Sequence, residues 1–188
     1  MRCNALQVKR LRIITLTTGK PLPQFTPHMT QRFEAIIIGA GAAGLMCAIT
    51  AAQRGRSVLI LEHNQKIGKK ILISGGGRCN FTNLNTGPEN YISSNPHFCR
   101  SALARFPAEE FVSLINKHKI EFFEKKAGQL FSRDSSRQIV KLLKDECREA
   151  GAHIQTNCSI DEISNDNGFN LKTSLKNFEC DSLIIATG

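Results

Sequence analysis

The stretch that decides the fold covers residues 34–62 and reads EAIIIGAGAAGLMCAITAAQRGRSVLILE. It begins with a short apolar run that ends at Gly39, a pattern typical of a buried parallel strand. Residues 42–55 then predict a helix rich in Ala and Leu. A second apolar run over 57–62 completes a βαβ unit of about 30 residues, the smallest module from which a parallel sheet is built.

Three glycines between the first strand and the helix, Gly39, Gly41 and Gly44, form a G-x-G-x-x-G motif. Gly39 permits a tight turn, Gly41 lets a pyrophosphate approach the backbone, and Gly44 lets the helix pack closely on the strand. The helix N-terminus offers free N–H groups to phosphates. Glu62, at the end of the second strand, can accept hydrogen bonds from ribose hydroxyls and would repel a 2′-phosphate, which disfavours NADP. The stretch therefore predicts dinucleotide binding.

The next segment, residues 68–83, reads GKKILISGGGRCNFTN and is polar and rich in glycine. In a plain NAD-binding unit the chain would usually enter a helix here. The composition instead favours a loop along an extended ligand, with backbone N–H groups, Arg78 and Asn80 facing phosphate or flavin polar atoms. The alternative is a surface loop that has a glycine run by accident. The segment thus favours FAD as the dinucleotide.

Three motifs together resemble a known family: IIIGAGAAGLMCA (36–48), GKKILISGGGRCNFTN (68–83) and LIIATG (183–188). The chain resembles the BaiN-like NAD(P)/FAD-dependent oxidoreductases, also described as aminoacetone-oxidase-like flavoproteins. The middle motif discriminates, because many two-dinucleotide-binding flavoproteins share the other two. The resemblance covers residues 33–188. It implies an α/β fold with a Rossmann-type FAD-binding domain, a parallel sheet with helices, and a small antiparallel β segment.

The resemblance also implies that FAD binds in an extended form along several groups of residues. The pyrophosphate and the adenosine ribose would contact Gly39, Ala40, Gly41, Ala43, Gly44 and Glu62. The ribityl chain and the flavin would lie along Lys70, Ser74, Gly75, Gly76, Gly77, Arg78, Cys79 and Asn80. The backbone of Ser159 and Ile160 would meet adenine, and Ala186, Thr187 and Gly188 would lie near the pyrophosphate. For Cys79, a packed small thiol is favoured over a thiol beside the flavin.

The domain prediction separates a leader from one folded domain. Residues 1–28 contain no acid and are rich in Thr, Pro and basic residues. They are predicted to be disordered, either as an organellar transit peptide or as a wrongly assigned start before Met29. Residues 29–188 form the FAD-binding domain, with an amphipathic helix over 134–151. Because a strand ending in glycine closes the chain, we expect this domain to be truncated at its C-terminus.

The amino-acid composition excludes several classes of binding partner. The net charge is +9, but five basic residues of the leader account for part of it and leave +4. Aromatic residues make up only 6%, with no Trp, so the sequence predicts no nucleic-acid partner. No apolar run approaches the roughly 18 residues of a membrane helix, so no membrane is predicted. Seven cysteines without a CxxC pair predict no metal site, and an odd number without a secretory signal predicts a cytoplasmic protein.

The function predicted from these features is that of an FAD-dependent oxidoreductase. Hydride would move between the flavin and either a nicotinamide cofactor, NAD(P)H, or a small organic substrate. The predicted partner is a small-molecule substrate, and the sequence assigns neither catalytic residues nor an oligomeric state. Two alternatives stay open at this point: a non-catalytic, truncated flavoprotein fragment, and a flavin-dependent RNA-modifying enzyme.

Overall fold

The computed structural model describes residues 30–188. The expectations for residues 1–28 and for Met29 as the initiator lie outside the described residues. The described part of the chain groups into two compact units. The six-stranded unit comprises residues 30–69 and 143–188, and the inserted unit comprises residues 70–142. That residues 29–188 act as one FAD-binding domain stays a prediction.

Helices and strands alternate through the first third of the chain, as the sequence pattern predicts. In chain order the elements are β1 (Gln31–Ile38), α1 (Ala42–Gln53), β2 (Val58–Leu61), α2 (Lys69–Ile73), β3 (Asn80–Asn83), α3 (Arg100–Arg105), α4 (Ala108–Lys117), β4 (Phe122–Glu124), β5 (Gln129–Ser132), α5 (Ser136–Ala150), β6 (His153–Gln155), β7 (Ile160–Asn165), β8 (Phe169–Thr173) and β9 (Phe178–Ile185).

The six-stranded unit contains one mixed sheet with the strand order β6-β2-β1-β9-β8-β7. The first four strands are parallel, and β8 and β7 continue the sheet in antiparallel pairing. In β1, Ile37 lies between Ile60 of β2 and Ile184 of β9. Every residue of β2 is buried, as expected for an apolar run inside a parallel sheet. The Rossmann-type α/β fold is therefore confirmed, and the βαβ unit lies within the parallel part of its sheet.

One face of this sheet forms a continuous core. It joins residues from both the parallel and the antiparallel part of the sheet, namely Phe33, Ile36, Leu59, Leu61, Cys158, Leu171, Phe178 and Cys180. Burial of a large apolar side chain contributes about 1.5–3 kcal/mol. The sheet is thus held by apolar burial, and the antiparallel strands extend the core that the parallel strands begin.

Helix α5 has the amphipathic pattern that the sequence predicts. The four apolar positions Ile139, Leu142, Leu143 and Cys147 are each no more than 2% exposed. The Cys147 Sγ lies 3.7 Å from the carbonyl oxygen of Leu45 in α1. Burial raises the pKa of the Cys147 thiol to about 11, so this cysteine is a packed, protonated side chain.

The inserted unit contains a three-stranded antiparallel sheet with the order β3-β5-β4. Strands β4 and β5 lie on either side of a turn that contains Ala127 and Gly128. Phenylalanine rings hold the unit together: Phe81 lies 5.9 Å from Phe111 and 5.7 Å from Phe122 between ring centroids. Such pairs add about 0.5–1.5 kcal/mol beyond their buried area.

The segment 68–83 is more ordered than its predicted loop. It contains α2, a 3₁₀ turn over 74–77 and the strand β3. The helix forms because Ile71 is buried, at 7% exposure, so the short apolar run within the segment has a core to pack on. The strand forms because β3 pairs with β5. The prediction that residues 68–83 form a loop is wrong at both ends of the segment, where α2 and β3 form. It is right only for the glycines at 75–77.

Membrane insertion can be assessed for the described residues alone. Among residues 30–188, none of the helices combines the length and the apolar character that a membrane span requires.

The contact between α1 and β1 gives a stability prediction. A Cβ at Gly44 would lie 1.9 Å from the Gly39 carbonyl oxygen, so we expect Gly44→Ala to destabilise the fold. The overpacking should cost about 1–3 kcal/mol or more, against a gain in helix propensity of only about 1 kcal/mol. Urea unfolding followed by circular dichroism measures the difference.

The matched control is Gly41→Ala. Its Cβ would meet nothing within 4 Å, and Gly41 has an ordinary φ of −83°. Equal unfolding free energies for the two variants would contradict the packing role of Gly44.

Candidate dinucleotide-binding site

The glycine motif folds into a tight connection between β1 and α1. Gly39 has a φ of +107°, and its N–H donates to the Leu61 carbonyl at 2.8 Å. A Cβ at Gly39 would approach the Ala186 carbonyl oxygen to 2.7 Å. Gly41 differs, because a Cβ there would meet nothing within 4 Å. The chain is therefore crowded at Gly39 and Gly44 but leaves open space at Gly41.

That open space lies at the N-terminus of α1, which Gly41 caps without a side chain. The first backbone donor within the helix is Leu45, whose N–H reaches the Gly41 carbonyl at 3.0 Å. The N–H groups of Ala42, Ala43 and Gly44 precede that bond and belong to the first turn, where backbone donors have no partner within the helix. The first turn contains no acid, so its partial positive charge favours an anion.

Glu62 ends β2 and connects to the same loop. It is buried, at 8% exposure. Its Oε2 accepts a hydrogen bond from the backbone N–H of Ala40 at 3.0 Å. Its Oε1 accepts from the backbone N–H of Asn64 at 2.9 Å and from the Asn64 side-chain amide at 2.7 Å. The carboxylate thus fixes the glycine loop, and Oε2 has a second lone pair for a further donor.

The charge state of Glu62 follows from these bonds. Burial alone would raise its pKa, but the backbone N–H groups of Asn64 and Ala40 and the Asn64 amide lower it. His63, whose Nδ1 lies 3.2 Å from Oε1, acts in the same direction. The net pKa lies below the ordinary value of 4.5, so Glu62 is a carboxylate at neutral pH.

Two further predicted groups lie close to this loop. The N–H of Cys158 donates to the Glu62 carbonyl at 3.0 Å. Ser159 and Ile160 are the next two residues in the sequence, so this bond holds them near Glu62. The N–H of Ala186 donates to the Ile38 carbonyl at 2.8 Å, beside the glycine turn. Within the six-stranded unit, the structure brings together all the predicted residues for the pyrophosphate, ribose and adenine. These are Gly39, Ala40, Gly41, Ala43, Gly44, Glu62, Ser159, Ile160, Ala186, Thr187 and Gly188.

Sequence reasoning missed two residues that hold Glu62, namely His63 and Asn64. Asn64 donates twice to the carboxylate, and its carbonyl accepts from the N–H of Asn157 at 3.1 Å. A short amide side chain two residues after a strand-ending carboxylate is a local pattern that could have indicated this turn.

The inserted unit contains the second group of predicted residues. Gly75, Gly76 and Gly77 have φ values of +56°, +67° and +86°. A Cβ at Gly75 would lie 2.8 Å from the Asn80 nitrogen and from the Phe131 ring. At Gly76 and Gly77 a Cβ would meet nothing within 4 Å. The glycines are therefore required by the turn, and two of them border open space.

The side chains around this turn differ in exposure. Lys70 and Asn80 are exposed, and Ser74 donates from Oγ to the Ile71 carbonyl at 2.8 Å. The Arg78 guanidinium is exposed and lies 5.9 Å from the Phe123 ring centroid. Cys79 is 5% exposed, and burial raises the pKa of its thiol. The Cys79 thiol is therefore packed in the fold, and its contact with the cofactor stays a prediction.

The site in the six-stranded unit fits the diphosphate and ribose of a dinucleotide. An open glycine and a helix N-terminus accommodate negatively charged phosphates, and a fixed carboxylate offers an acceptor to hydroxyl groups. A side chain at position 41 would fill the space that the phosphates need. The observed donors and acceptors therefore match the adenosine diphosphate half of FAD.

Comparison with known proteins identifies the family. The family model of the HI0933-like protein Rossmann domain matches residues 33–188. The chain is 50% identical over 159 residues to the ribosomal RNA dihydrouridine synthase of Escherichia coli strain K12, covering 84% of this chain and 40% of that protein. It is 47% identical over 165 residues to the ribosomal RNA dihydrouridine synthase of Haemophilus influenzae, covering 85% and 41%. The chain thus spans about 40% of the length of these curated relatives.

A solved structure supports the fold independently. The 3-ketosteroid-delta4-(5alpha)-dehydrogenase of Rhodococcus jostii RHA1 superposes with a TM-score of 0.63 at 16% identity, covering 84% of this chain and 46% of that one. At this identity the likeness shows the fold alone. Together with the family model it confirms a Rossmann-type FAD-binding fold.

These comparisons correct the expectation of no nucleic-acid partner, which is wrong. Two relatives of about 50% identity are named for a reaction on ribosomal RNA. The modest total charge of the chain also conceals an uneven distribution. The inserted unit has eleven Lys and Arg against six Asp and Glu, a net charge of +5, whereas the other described residues have nine against ten, a net charge of −1. The inserted unit also has eight of the twelve Phe and Tyr residues of the chain.

The resemblance to BaiN-like flavoproteins holds in its coarser form. A flavoprotein with a Rossmann-type FAD-binding fold is confirmed, whereas these two relatives are named as RNA dihydrouridine synthases rather than as members of a BaiN-like branch. The open Gly41, the α1 N-terminus and the buried Glu62 lie within the matched residues. The chain therefore belongs to the flavoprotein family defined by the HI0933-like protein Rossmann domain.

Proposed function

We propose that this chain is the FAD-binding portion of a flavoprotein reductase that acts on uracil bases of ribosomal RNA. The observation that supports this most strongly is the 50% identity over 84% of the chain to a ribosomal RNA dihydrouridine synthase. The matched stretch contains the glycine loop and its carboxylate. A uracil base becomes dihydrouracil when a hydride and a proton add across its C5–C6 double bond, and a reduced nicotinamide would be the source of the hydride.

In this proposal the six-stranded unit holds the adenosine diphosphate half of FAD. Gly41 and the N–H groups of Ala42 and Ala43 would hold the phosphates. Oε2 of Glu62, which the Ala40 N–H already orients, would accept a ribose hydroxyl. Because the loop is fixed before the cofactor binds, little ordering entropy is lost on binding.

In the inserted unit, the proposal assigns the turn at 75–77 and Arg78 to the flavin half of the cofactor. Bound FAD supplies the redox chemistry, since its ring accepts a hydride from one substrate and delivers it to another. Gly76 and Gly77 leave room for a planar ring to approach the backbone. The Arg78 guanidinium is exposed and offers a positive charge to the negative charge that a flavin gains on reduction. Lys70, Ser74 and Asn80 offer further polar contacts.

The role of Glu62 gives a binding prediction. Glu62→Gln places an amide where Oε2 accepts from the Ala40 N–H, so both the loop and the ribose contact are weakened. We expect FAD binding to lose about 1–3 kcal/mol, the value of a charge-assisted hydrogen bond. Titration of the 188-residue chain with FAD, followed by flavin fluorescence, measures the loss. Glu34→Gln is the control. Glu34 also accepts a hydrogen bond from a backbone N–H, that of Ser57, but it lies near the start of β1, away from the glycine loop at the ends of β1 and β2.

The same variant tests the charge state of Glu62. Its folded-state pKa lies below the ordinary value of 4.5, so the carboxylate stabilises the fold above that pH. The stabilisation is lost as the pH falls through the folded-state pKa. The unfolding free energy of the wild type should therefore exceed that of Glu62→Gln at pH 7, with the difference shrinking below about pH 4.5. A difference independent of pH, or unchanged FAD affinity, would show that Glu62 does not act as a buried carboxylate in this site.

The proposed reaction can be tested by a chimera. Residues 33–188 of this chain would replace the matching segment of the Escherichia coli relative, in a strain that lacks its own copy. We expect the chimera to purify with bound FAD and to restore dihydrouridine in ribosomal RNA, detected by mass spectrometry of nucleosides. A chimera that binds FAD and is reduced by NADH or NADPH, yet forms no dihydrouridine, would contradict the proposed RNA substrate.

A further inference from the structure

The inserted unit contains a recess that is open to solvent. Its volume is about 440 Å³, within the range of small-molecule sites. One side is formed by β3, and the other by the end of α3 and the start of α4. Polar and aromatic side chains alternate in its lining, among them Asn80, Asn83, Tyr91, Phe106 and Glu109.

The aromatic part of the lining contains three phenylalanine rings in mutual contact. Phe106 packs edge-on against Phe111 at 6.4 Å between ring centroids, and Phe111 in turn contacts Phe81 at 5.9 Å. Phe106 is nevertheless 42% exposed. A ring that is anchored by its neighbours yet accessible to solvent is suited to stacking on another planar group, as in proteins that bind unpaired bases.

The polar part of the lining supplies both donors and acceptors. With the Asn80 amide turned so that its oxygen and nitrogen both find partners, its nitrogen donates to the carbonyls of Leu130 at 3.1 Å and Thr82 at 3.0 Å, which fixes the side chain on its own sheet. The Asn83 Oδ1 accepts from the Asn85 N–H at 2.8 Å. The Glu109 carboxylate is exposed at the rim and can accept an N–H. A uracil edge presents two carbonyl acceptors on either side of one N–H donor, so it can pair with a donor such as the Asn83 side-chain N–H group and with an acceptor such as the Glu109 carboxylate.

Exposed cations lie on two elements that border the recess. Arg100 and Arg105 belong to α3, which contributes Leu103 to the lining. Lys125 and Lys126 precede the turn between β4 and β5, where the Gly128 carbonyl accepts from the N–H of Leu84, a lining residue. These cations belong to the unit whose net charge is +5, and they lie on other elements than the two acids, Glu109 and Glu110, at the start of α4.

We propose that this recess binds an unstacked base of a single-stranded RNA segment, with Phe106 as the stacking platform and the bordering cations on the flanking phosphates. A base inside a duplex is stacked on both faces and cannot reach a ring in a recess, so recognition of this kind requires an unpaired or flipped nucleotide. RNA as the ligand class rests on the proposed function, whereas the location rests on the recess and its charges alone.

Binding of the 188-residue chain to a fluorescein-labelled 12-nucleotide oligouridine, measured by anisotropy, tests the charged rim. Arg100→Ala/Arg105→Ala should weaken binding about tenfold at 100 mM NaCl and reduce the slope of log K against log salt by about 1.4, or 0.7 for each phosphate that is no longer neutralised. Arg54→Ala/Lys144→Ala, which removes two exposed cations of the six-stranded unit, should bind like the wild type. Equally weakened binding by both double variants would overturn the proposed location.

Ring substitutions test the stacking platform. Phe106→Leu keeps an apolar side chain but removes the ring, and we expect roughly tenfold weaker binding of oligouridine. Phe106→Tyr keeps the ring and should retain affinity. A 12-base-pair RNA duplex should bind at least about tenfold more weakly than the single strand. Equal affinity of the Leu and Tyr variants, or equal affinity for duplex and single strand, would contradict the proposal that Phe106 stacks on an unpaired base.

The outcomes separate this proposal from the proposed function. If the recess variants lose RNA binding as expected while the chimera forms no dihydrouridine, the RNA site stands and the proposed reaction fails. If the chimera restores dihydrouridine while the recess variants bind RNA like the wild type, the reaction stands and the recess proposal is wrong.

Discussion

The hydrogen bond from the Ala40 N–H to Oε2 of Glu62 is the interaction on which the site depends. It joins the loop after β1 to the end of β2, so the two strands of the βαβ unit end in one fixed geometry. A buried carboxylate would be costly without partners, since desolvation favours the neutral acid. Asn64 and Ala40 provide those partners, which makes the charged form the stable one. The same carboxylate is thereby a structural clamp, and its Oε2 is the acceptor that the proposal assigns to a ligand hydroxyl.

Much of the six-stranded unit could be predicted because its signals are local. The βαβ pattern, the glycine motif and the apolar face of α5 follow from strand and helix periodicity, and each agrees with the structure. The pairing of the last strand with the first follows from apolar runs that need neighbours on both edges. The residues predicted for the pyrophosphate, ribose and adenine are close together because the carboxyl ends of parallel strands meet at one edge of a sheet.

The remaining features were not predictable from local patterns. Helix α2 forms where Ile71 is buried and where the Leu72 carbonyl accepts a hydrogen bond from the hydroxyl of Ser136, which is 64 residues away in the sequence. The partners of Glu62 depend on a turn whose geometry only the folded chain defines. The relatives' names overturn the nucleic-acid expectation, which rested on a total charge that conceals the excess of basic residues in 70–142. The electrostatic potential at a surface depends on the charges near it, so a modest net charge of the whole chain can hide a basic unit.

The most direct test of the central claim is hydrogen exchange of the 188-residue chain with and without FAD, measured by mass spectrometry. The N–H groups at the start of α1 have no partner within the helix, and a bound pyrophosphate would give them one. We predict that FAD slows exchange most in residues 40–45 and in 62–64. FAD-dependent protection confined to other segments, with 40–45 unchanged, would contradict the assignment of this loop as the dinucleotide site.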